Sequence, residues 1–301
     1  MEVSIVVPFF ESEATLANCL AALSSQTLAK KRYEVIAVDD GSTDGGAAIA
    51  KRAGARLVQQ THRGAPAARN AGIAAAVGKW VAFTDADCIP SRGWLRSLLS
   101  AVDSSHQPVF GAAGPIVARP SRAAAARFVE ISGAFDTARH LDHPQFPFAP
   151  SGNVMYSRDA LNAVGGFDER YASYEACDLH RRLMLKVGGR FAFAESAVVL
   201  HQHRATWADY WTQQLNYGRG LAQFYVRWHD EIPWSPLREA AAWAALAPAA
   251  VSACRPGNGD TSLARRGTFV KQLAQRIGFA STYFRSAERA RWEQPLRRVR
   301  A

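Results

Sequence analysis

The chain is expected to fold as an α/β protein around a doubly wound, mostly parallel sheet, followed by a C-terminal helical extension. Two patterns predict this. Short β-rich runs alternate with helical stretches through the first part of the chain, and two of those runs end directly in acidic turns. With 301 residues, 48% hydrophobic and 21% charged, the chain can bury a sizeable core. Disordered, collagen-like and fibrous classes are excluded by that composition.

Ser4-Ile5-Val6-Val7 is an apolar run that reads as a buried parallel strand ended by Pro8. Glu13 to Leu23 reads as a helix with Leu16, Leu20 and Leu23 on one face. Tyr33 to Val38 is the second strand. It stops at Asp39-Asp40-Gly41-Ser42-Thr43-Asp44, a turn-rich loop that also caps the next helix. Arg56 to Val58 is the third strand, Ala65 to Ala76 an alanine-rich helix, and Lys79 to Phe83 the fourth strand. This β-α-β order implies right-handed crossovers and a parallel sheet. Ligands of such sheets sit at the carboxyl ends of the strands. Asp39-Asp40 and Asp85-Ala86-Asp87 should therefore converge on one crevice.

Beyond Ser91 the pattern changes. A helix from Trp94 to Val102 is followed by an expected irregular stretch containing Pro108, Pro115, Pro120, Pro144, Pro147 and Pro150. Helices are expected near Arg158–Val164 and Glu175–Val187, and strands near Arg190–Ala194 and Ala197–His201. Thr206 to Trp228 reads as a long aromatic-rich helix whose aromatic stripe is core. Ala240–Cys254 carries no charge and reads as a buried or interfacial helix, too short to span a membrane.

The net charge is +10, from 36 Lys and Arg against 26 Asp and Glu. From Arg255 onward there are eleven basic and three acidic residues, so this tail carries +8 and the preceding residues +2. The four cysteines form no CxxC pair, which argues against zinc or a disulfide framework and for inert thiols in a reducing cytosol. No apolar run approaches the ~20 residues of a transmembrane helix. The opening Met1–Ile5 enters a strand directly, with no secretory pattern ahead of it.

Two carboxylates at i and i+2 after a strand, Asp85 and Asp87, suit a hard divalent cation, Mg²⁺ or Mn²⁺, that keeps positions open for phosphate. Alone, D-x-D matches by chance too often to identify a site. The ordered combination is specific. Pro8-Phe9-Phe10-Glu11, Val38-Asp39-Asp40-Gly41-Ser42-Thr43-Asp44, Gly64-Ala65-Pro66-Ala67-Ala68-Arg69-Asn70-Ala71-Gly72-Ile73 and Phe83-Thr84-Asp85-Ala86-Asp87 follow one another. With them the sequence resembles the family 2 glycosyltransferases of GT-A, Rossmann-like fold. Later motifs also resemble the family: Pro150-Ser151-Gly152-Asn153, Gly165-Gly166-Phe167-Asp168-Glu169, Glu175-Ala176-Cys177-Asp178-Leu179 with Arg182, Val198 to Arg204, and Gln213 to Gly220. The likeness covers roughly residues 3 to 220.

The resemblance implies a GT-A domain over 1–220, with a nucleotide-sugar-binding half at 1–104 and an acceptor half at 105–220. A helical basic extension follows at 221–301. By resemblance, Pro8, Phe9 and Glu11 line the base pocket, with Glu11 standing where the family usually has Asn. Asp39 or Asp40 accepts a hydrogen bond from a uracil-like base; the spacing does not say which. Arg69 lies by the nucleotide. Asp85, with Ala86 beside it, faces ribose and diphosphate. Asp87 holds the metal, and His201 is either a further ligand or a crevice histidine. The donor implied is a nucleotide sugar, UDP-type favoured, and the reaction inverts the anomeric centre in one displacement.

Here the chain departs from the family pattern. Glu-Asp-x-Asp-Leu is common, and its second residue supplies the catalytic base. This chain has Ala176 at that position. Glu175 is then expected to act as base, with Asp178 orienting acceptor or metal-side groups. The two are three apart on a helix and share a face. A catalytically silent nucleotide-sugar-binding or scaffold protein is the alternative that Ala176 raises.

Val270, Leu273, Ile277, Ala280 and Phe284 recur at helical spacing among Arg265, Arg266, Lys271, Arg276 and Arg285. This basic amphipathic helix, with Arg-rich residues to Arg300, could pack its stripe on the catalytic domain or lie on an anionic membrane surface, and the uncharged Ala240–Cys254 segment ahead of it favours the membrane. A peripheral enzyme at the inner face of the cell membrane, acting on a glycan or lipid-linked acceptor of the cell envelope, would follow. No nucleic-acid module is recognisable, so nucleic acid is not an expected partner.

Overall fold

The computed structural model describes residues 1–133 and 136–285. Its first elements are β1 (Val3–Phe9), α1 (Glu13–Ser24), β2 (Tyr33–Asp39), α2 (Gly46–Arg52), β3 (Arg56–Gln59), α3 (Ala65–Ala75), β4 (Trp80–Phe83), β5 (Cys88–Pro90) and α4 (Trp94–Asp103). There follow β6 (Val109–Ala113), β7 (Ile116–Ala118), α5 (Ala124–Ser132), α6 (Thr137–Leu141), β8 (Val154–Ser157), α7 (Arg158–Val164), α8 (Glu175–Lys186), β9 (Arg190–Phe193) and β10 (Val199–His201). The chain ends in α9 (Trp207–Arg227), α10 (Pro236–Ala244), α11 (Leu246–Cys254) and α12 (Gly259–Tyr283).

By contacts the chain divides into two compact units. One comprises Met1–Ala118, Phe135–Arg170 and Glu175–Gln202; the other comprises Arg119–Ala134, Tyr171–Tyr174 and His203–Ala301. This is a division by packing. The expected halves 1–104 and 105–220 and the extension 221–301 are a division by role.

The first unit is built on a seven-stranded sheet of order β3-β2-β1-β4-β8-β6-β9. β3, β2, β1 and β4 run parallel, whereas β8 is antiparallel to both β4 and β6. The sheet is thus mostly parallel, as expected. Every residue of β1 and β4 is buried, which fits a sheet covered on both faces. Val3, Ile5, Val7 and Phe9 share one apolar cluster with Leu16, Leu20 and Leu23 of α1 and with Trp94, Leu95 and Leu98 of α4. Val6 faces the other cluster, with Ala68 and Ile73 of α3, Leu161 of α7, and Leu179 and Leu183 of α8. The period of two along β1 sorts its side chains between the layers.

Pro8 does not end β1. The strand continues to Phe9, paired with Asp39 of β2. Val6 O accepts from Thr84 N on the β4 side, and Phe9 O accepts from Asp40 N on the β2 side. Pro8 therefore turns its missing N–H toward the β4 side, where pairing with β4 has already stopped at Phe83.

Part of the stretch expected to be irregular forms regular elements, β6, β7, α5 and α6, whereas the part with Pro144, Pro147 and Pro150 is irregular as expected. Pro108 and Pro115 precede β6 and β7, positions where no ladder donor is lost. β7 joins β5 and β10 in a small second sheet of order β5-β10-β7, with β10 antiparallel to β5 and parallel to β7.

In the second unit α12 packs along α9. A Cβ on Gly218 would lie 2.1 Å from Gln275 O, and one on Gly278 would lie 2.1 Å from Leu215 O. The two glycines let the helix backbones touch. Ala222, Phe279 and Tyr283 fill the seam, and Gln275 Nε2 donates to Gln214 Oε1 at 2.8 Å. The buried face of α12 is therefore Gly267, Ala274, Gly278, Phe279 and Tyr283. It is not the expected stripe, whose Ile277 and Phe284 are exposed.

Ala240–Cys254 is likewise not one buried helix. It breaks at Ala245 between α10 and α11, and no residue of α11 is buried. Arg-rich residues 286–301 lie outside the described residues. Among the described residues, no helix is long and apolar enough to cross a membrane.

Candidate active site

The carboxyl edge of the parallel strands collects the acidic motifs. Asp39 is the last residue of β2, and Thr84-Asp85-Ala86-Asp87 continue from β4. β1 lies between these strands, so the two motifs stand two strand spacings, ~10 Å, apart on one edge.

Asp39 and Asp40 are both buried, but their oxygens are spent differently. Asp40 Oδ1 accepts from Gln60 Nε2 and from the Arg63 N–H, and its Oδ2 accepts from the Gly64 N–H and faces His62 Nδ1 at 3.0 Å. Three of the four lone pairs of the Asp40 carboxylate are taken by donors of the 60–64 loop, with the His62 ring beside the fourth. Among the described residues, Asp39 Oδ1 accepts only from Ser42 N, and its Oδ2 only from Gln59 Nε2. Asp39 keeps one lone pair on each oxygen.

The Pro8–Glu11 segment is tied to the same loop. Glu11 Oε1 accepts from both N and Oγ1 of Thr43, and the Glu11 N–H donates to Ser42 Oγ. Glu11 has φ +48°, in the left-handed region that favours glycine and, among other residues, Asn, so Glu there carries strain of about 1 kcal/mol. Phe9 is buried, and exposed Phe10 lies over the His62 ring with centroids 4.1 Å apart.

Arg69 of α3 sits between two carboxylates. Its Nη2 donates to Asp85 Oδ1 at 3.0 Å and its Nη1 to Glu175 Oε1 at 2.9 Å. Burial alone would lower the Arg69 pKa, but Asp85 and Glu175 outweigh it and raise it. The guanidinium stays charged and locks the β4 edge to the start of α8. A Cβ on Gly152 would lie 3.1 Å from Asp85 Oδ2, so the small residue expected in that segment keeps Asp85 in place.

Asp87 Oδ1 faces His201 Nε2 at 3.3 Å. Oxygen and nitrogen ligands bound at ~2.0–2.2 Å around one ion stand about this far apart, so the pair fits a divalent cation. His201 reaches Asp87 because β10 pairs antiparallel with β5, and the Gln202 N–H donates to Asp87 O.

Asp178 follows Glu175 by three residues on α8. Its side chain is fully buried and its Oδ2 accepts from Arg182 Nε at 2.7 Å. Arg182 in turn donates to Val164 O. An interior ion pair of this kind holds α8 on the end of α7, and it is not the helix-surface pair that i,i+4 spacing alone suggests. Ala176, beside Glu175, is buried.

Two residues of the motifs and one beside them emerge with placements that spacing did not reveal. Asn153 Oδ1 accepts from Trp94 Nε1, while its Nδ2 donates to Pro115 O and Ala197 O. Asn70 exchanges hydrogen bonds with both N and O of Phe167, fastening the Gly165–Glu169 turn to α3. Cys88 lies against Asp87 and His201; the three offer ligand atoms within 4.8 Å of one another. The only signal for Cys88 was its adjacency to Asp87.

The fold and this acidic edge define a class, the GT-A α/β proteins that bind ligands across the ends of a doubly wound sheet. Residues 4–165 match the model described as Glycosyl transferase family 2, and the chain belongs to that family. A pre-mycofactocin glycosyltransferase of Mycobacterium tuberculosis is 29% identical over 240 residues, covering 76% of this chain and 49% of that protein. This chain thus spans about half the length of that relative. Glycosyltransferase AglE of Haloferax volcanii is 27% identical over 231 residues, 74% of each chain. Among solved structures, the mannosyltransferase PcManGT of Pyrobaculum calidifontis, in complex with GDP-Man and Mn²⁺, superposes with TM-score 0.65 at 22% identity, covering 94% of this chain and 86% of that one. Residues 1–349 of Staphylococcus aureus TarS, in complex with UDP-GlcNAc, superpose with TM-score 0.54 at 18% identity, covering 93% and 91%. Those structural likenesses establish the fold.

Proposed function

We propose that the chain transfers a sugar from a nucleoside-diphosphate sugar to an acceptor hydroxyl, inverting the anomeric centre, in cell-envelope polysaccharide or glycolipid synthesis. The observation that carries this reading is the Asp87–His201 pair at the carboxyl edge of the sheet, two residues beyond the Asp85–Arg69–Glu175 ion pairs. Asp87 and His201 would hold Mn²⁺ or Mg²⁺; when bound, the ion offsets charge on the departing diphosphate.

The residues of the chain then divide the work. Asp39, with its spare lone pairs, accepts from an N–H of the base, and a uracil imide suits it. Asp40 shapes the loop instead. Pro8, Phe9 and Glu11 wall the base, and Asp85 with Ala86 faces ribose and diphosphate. Arg69 fixes Asp85 and Glu175 against each other rather than reaching out alone. Glu175 Oε2, the oxygen not bonded to Arg69, takes the proton of the acceptor hydroxyl as that oxygen attacks from the face opposite the leaving group. Asp178 pairs with Arg182 and helps to place α8.

A thermal-shift screen of nucleoside diphosphates and their sugars, with and without Mn²⁺, tests the reading. Uridine ligands should stabilise the protein only when Mn²⁺ is present. Equal stabilisation without the ion would remove the metal from the site, and stabilisation by GDP alone would reassign the base. Ala176 supports a second reading, a binding protein without turnover. Tight ion-linked UDP binding with neither hydrolysis nor transfer across a donor and acceptor panel would favour it.

A peripheral position on the inner face of the membrane is part of the proposal. The +8 tail and the exposed Leu237, Trp243 and Val251 of α10 and α11 support it. Flotation with anionic vesicles should carry the protein upward, and recovery at the bottom of the gradient would remove this element.

A further inference from the structure

The four residues ahead of Glu175, Tyr171–Tyr174, pack with the second unit, and Glu175 then opens α8. They form neither helix nor strand, yet one face of α9 holds them along their length. The Ala172 N–H donates to Oε1 of buried Gln223 at 3.0 Å, and Ser173 Oγ donates to Asn216 O at 2.8 Å. Gly220 lies between those two positions on the helix face. A Cβ there would stand 2.2 Å from Ser173 Oγ and 2.4 Å from Ser173 O, so only glycine admits the segment so close. The Tyr174 ring meets that of Phe224, with centroids 6.3 Å apart.

Tyr174 itself has φ +69°, in the left-handed region. Tyrosine is not among the residues that visit this region readily, so the contacts around it must impose it. The backbone at Tyr174 sets the direction in which the chain enters α8, and Glu175 is the next residue.

We propose that Gln223 and Gly220 of α9 are positioning residues for Glu175. They hold Ala172 and Ser173, impose the left-handed turn at Tyr174, and so fix the first turn of α8, from which Glu175 directs Oε2 at the acceptor hydroxyl. Neither residue is assigned a contact with substrate. The proposal rests on the reading of Glu175 as the base. A base displaced by ~1 Å can cost about 10²-fold in rate, while donor binding, left to other residues, is unaffected.

Turnover is read as release of nucleoside diphosphate, with water as acceptor, from the nucleotide sugar giving the largest shift in the thermal screen. Donor affinity is read by calorimetry. Gln223→Met removes the acceptor of the Ala172 N–H at similar volume; kcat should fall at least ~10-fold with donor Kd changed less than about twofold. Gln223→Glu, which keeps an acceptor oxygen, should restore most of the rate. Gly218→Ala, on the same helix, controls for lost stability and should keep kcat within about twofold at a temperature where both variants are folded. No fall in Gln223→Met, a fall matched by Gly218→Ala, no rescue by Gln223→Glu, or an equal loss of donor affinity overturns the positioning role. Should Gln223→Met fail to fold, Tyr174→Gly and Tyr174→Ala decide. Both lose the ring, but glycine alone adopts φ +69° freely. The glycine variant should be several-fold faster, and equal rates refute the proposal. Full activity in Glu175→Gln, or no release by the wild-type protein, overturns the base reading and this proposal together. An inactive Glu175→Gln beside an unaffected Gln223→Met overturns the positioning role alone.

Discussion

Asp39 and Asp40 are neighbours of the same type and nearly the same burial, yet their hydrogen bonds assign them different work. Removing the Asp40 carboxylate leaves the N–H groups of Arg63 and Gly64 without their acceptor in the 60–64 loop. Asp40→Ala should therefore cost about 1–3 kcal/mol, read as a lower urea midpoint. Asp39→Asn should leave that midpoint nearly unchanged while weakening nucleotide binding in calorimetry. Glu175 gives a separate prediction. Glu175→Gln keeps a partner for Arg69 but cannot take a proton, so kcat should fall by roughly 10²-fold or more with little change in donor affinity. Full activity in Glu175→Gln would move the base elsewhere.

At the scale of elements, the contact between α9 and α12 depends on two glycines rather than on an apolar stripe. An alanine at 218 would ordinarily favour the helix by up to ~1 kcal/mol. Here its methyl would meet the Gln275 carbonyl at 2.1 Å, and backbone on both sides leaves no flexible side chain to yield. Gly218→Ala should thus destabilise the helical unit by about 2 kcal/mol net, through overpacking. Differential scanning calorimetry would check this, and an unchanged or raised Tm would show that the two helices separate at little cost. The same crossing gives Gly218, inside a motif-like segment, its job, which is close approach of two helix backbones.

For the whole molecule, buried His180 gives stability an acid limb. Its ring lies between Phe110 and Phe191, with centroids 5.4 and 4.9 Å away. Burial lowers its pKa from 6.5 to about 4. The unfolded chain takes up a proton as pH falls below ~6.5, whereas the folded chain refuses it until near 4. Stability should accordingly fall through that window, by up to ~3 kcal/mol from this one group. Urea unfolding at a series of pH values should show the limb, and His180→Phe should flatten it. An unaltered acid limb in that variant would assign the loss to other groups.

Much of the parallel half was legible from sequence, because period, turn chemistry and strand ends are local properties. The run from Ser4 to Val7, the Leu16–Leu20–Leu23 face and the Asp-Gly-Ser turn each announced an element, and strand order then placed Asp39 and Asp85 on one edge. The ordered motifs sufficed to place the chain in its family. What sequence could not supply was anything set by partners far along the chain. The β5–β10 register brings His201 opposite Cys88 and within reach of Asp87. Hydrogen-bond occupancy separates Asp39 from Asp40. Burial makes Asp178 the partner of Arg182, and glycine contacts turn α12 onto a face other than its most regular apolar stripe. Local periodicity is written in neighbouring residues; register, lone-pair occupancy and helix rotation arise only when distant segments compete for the same space.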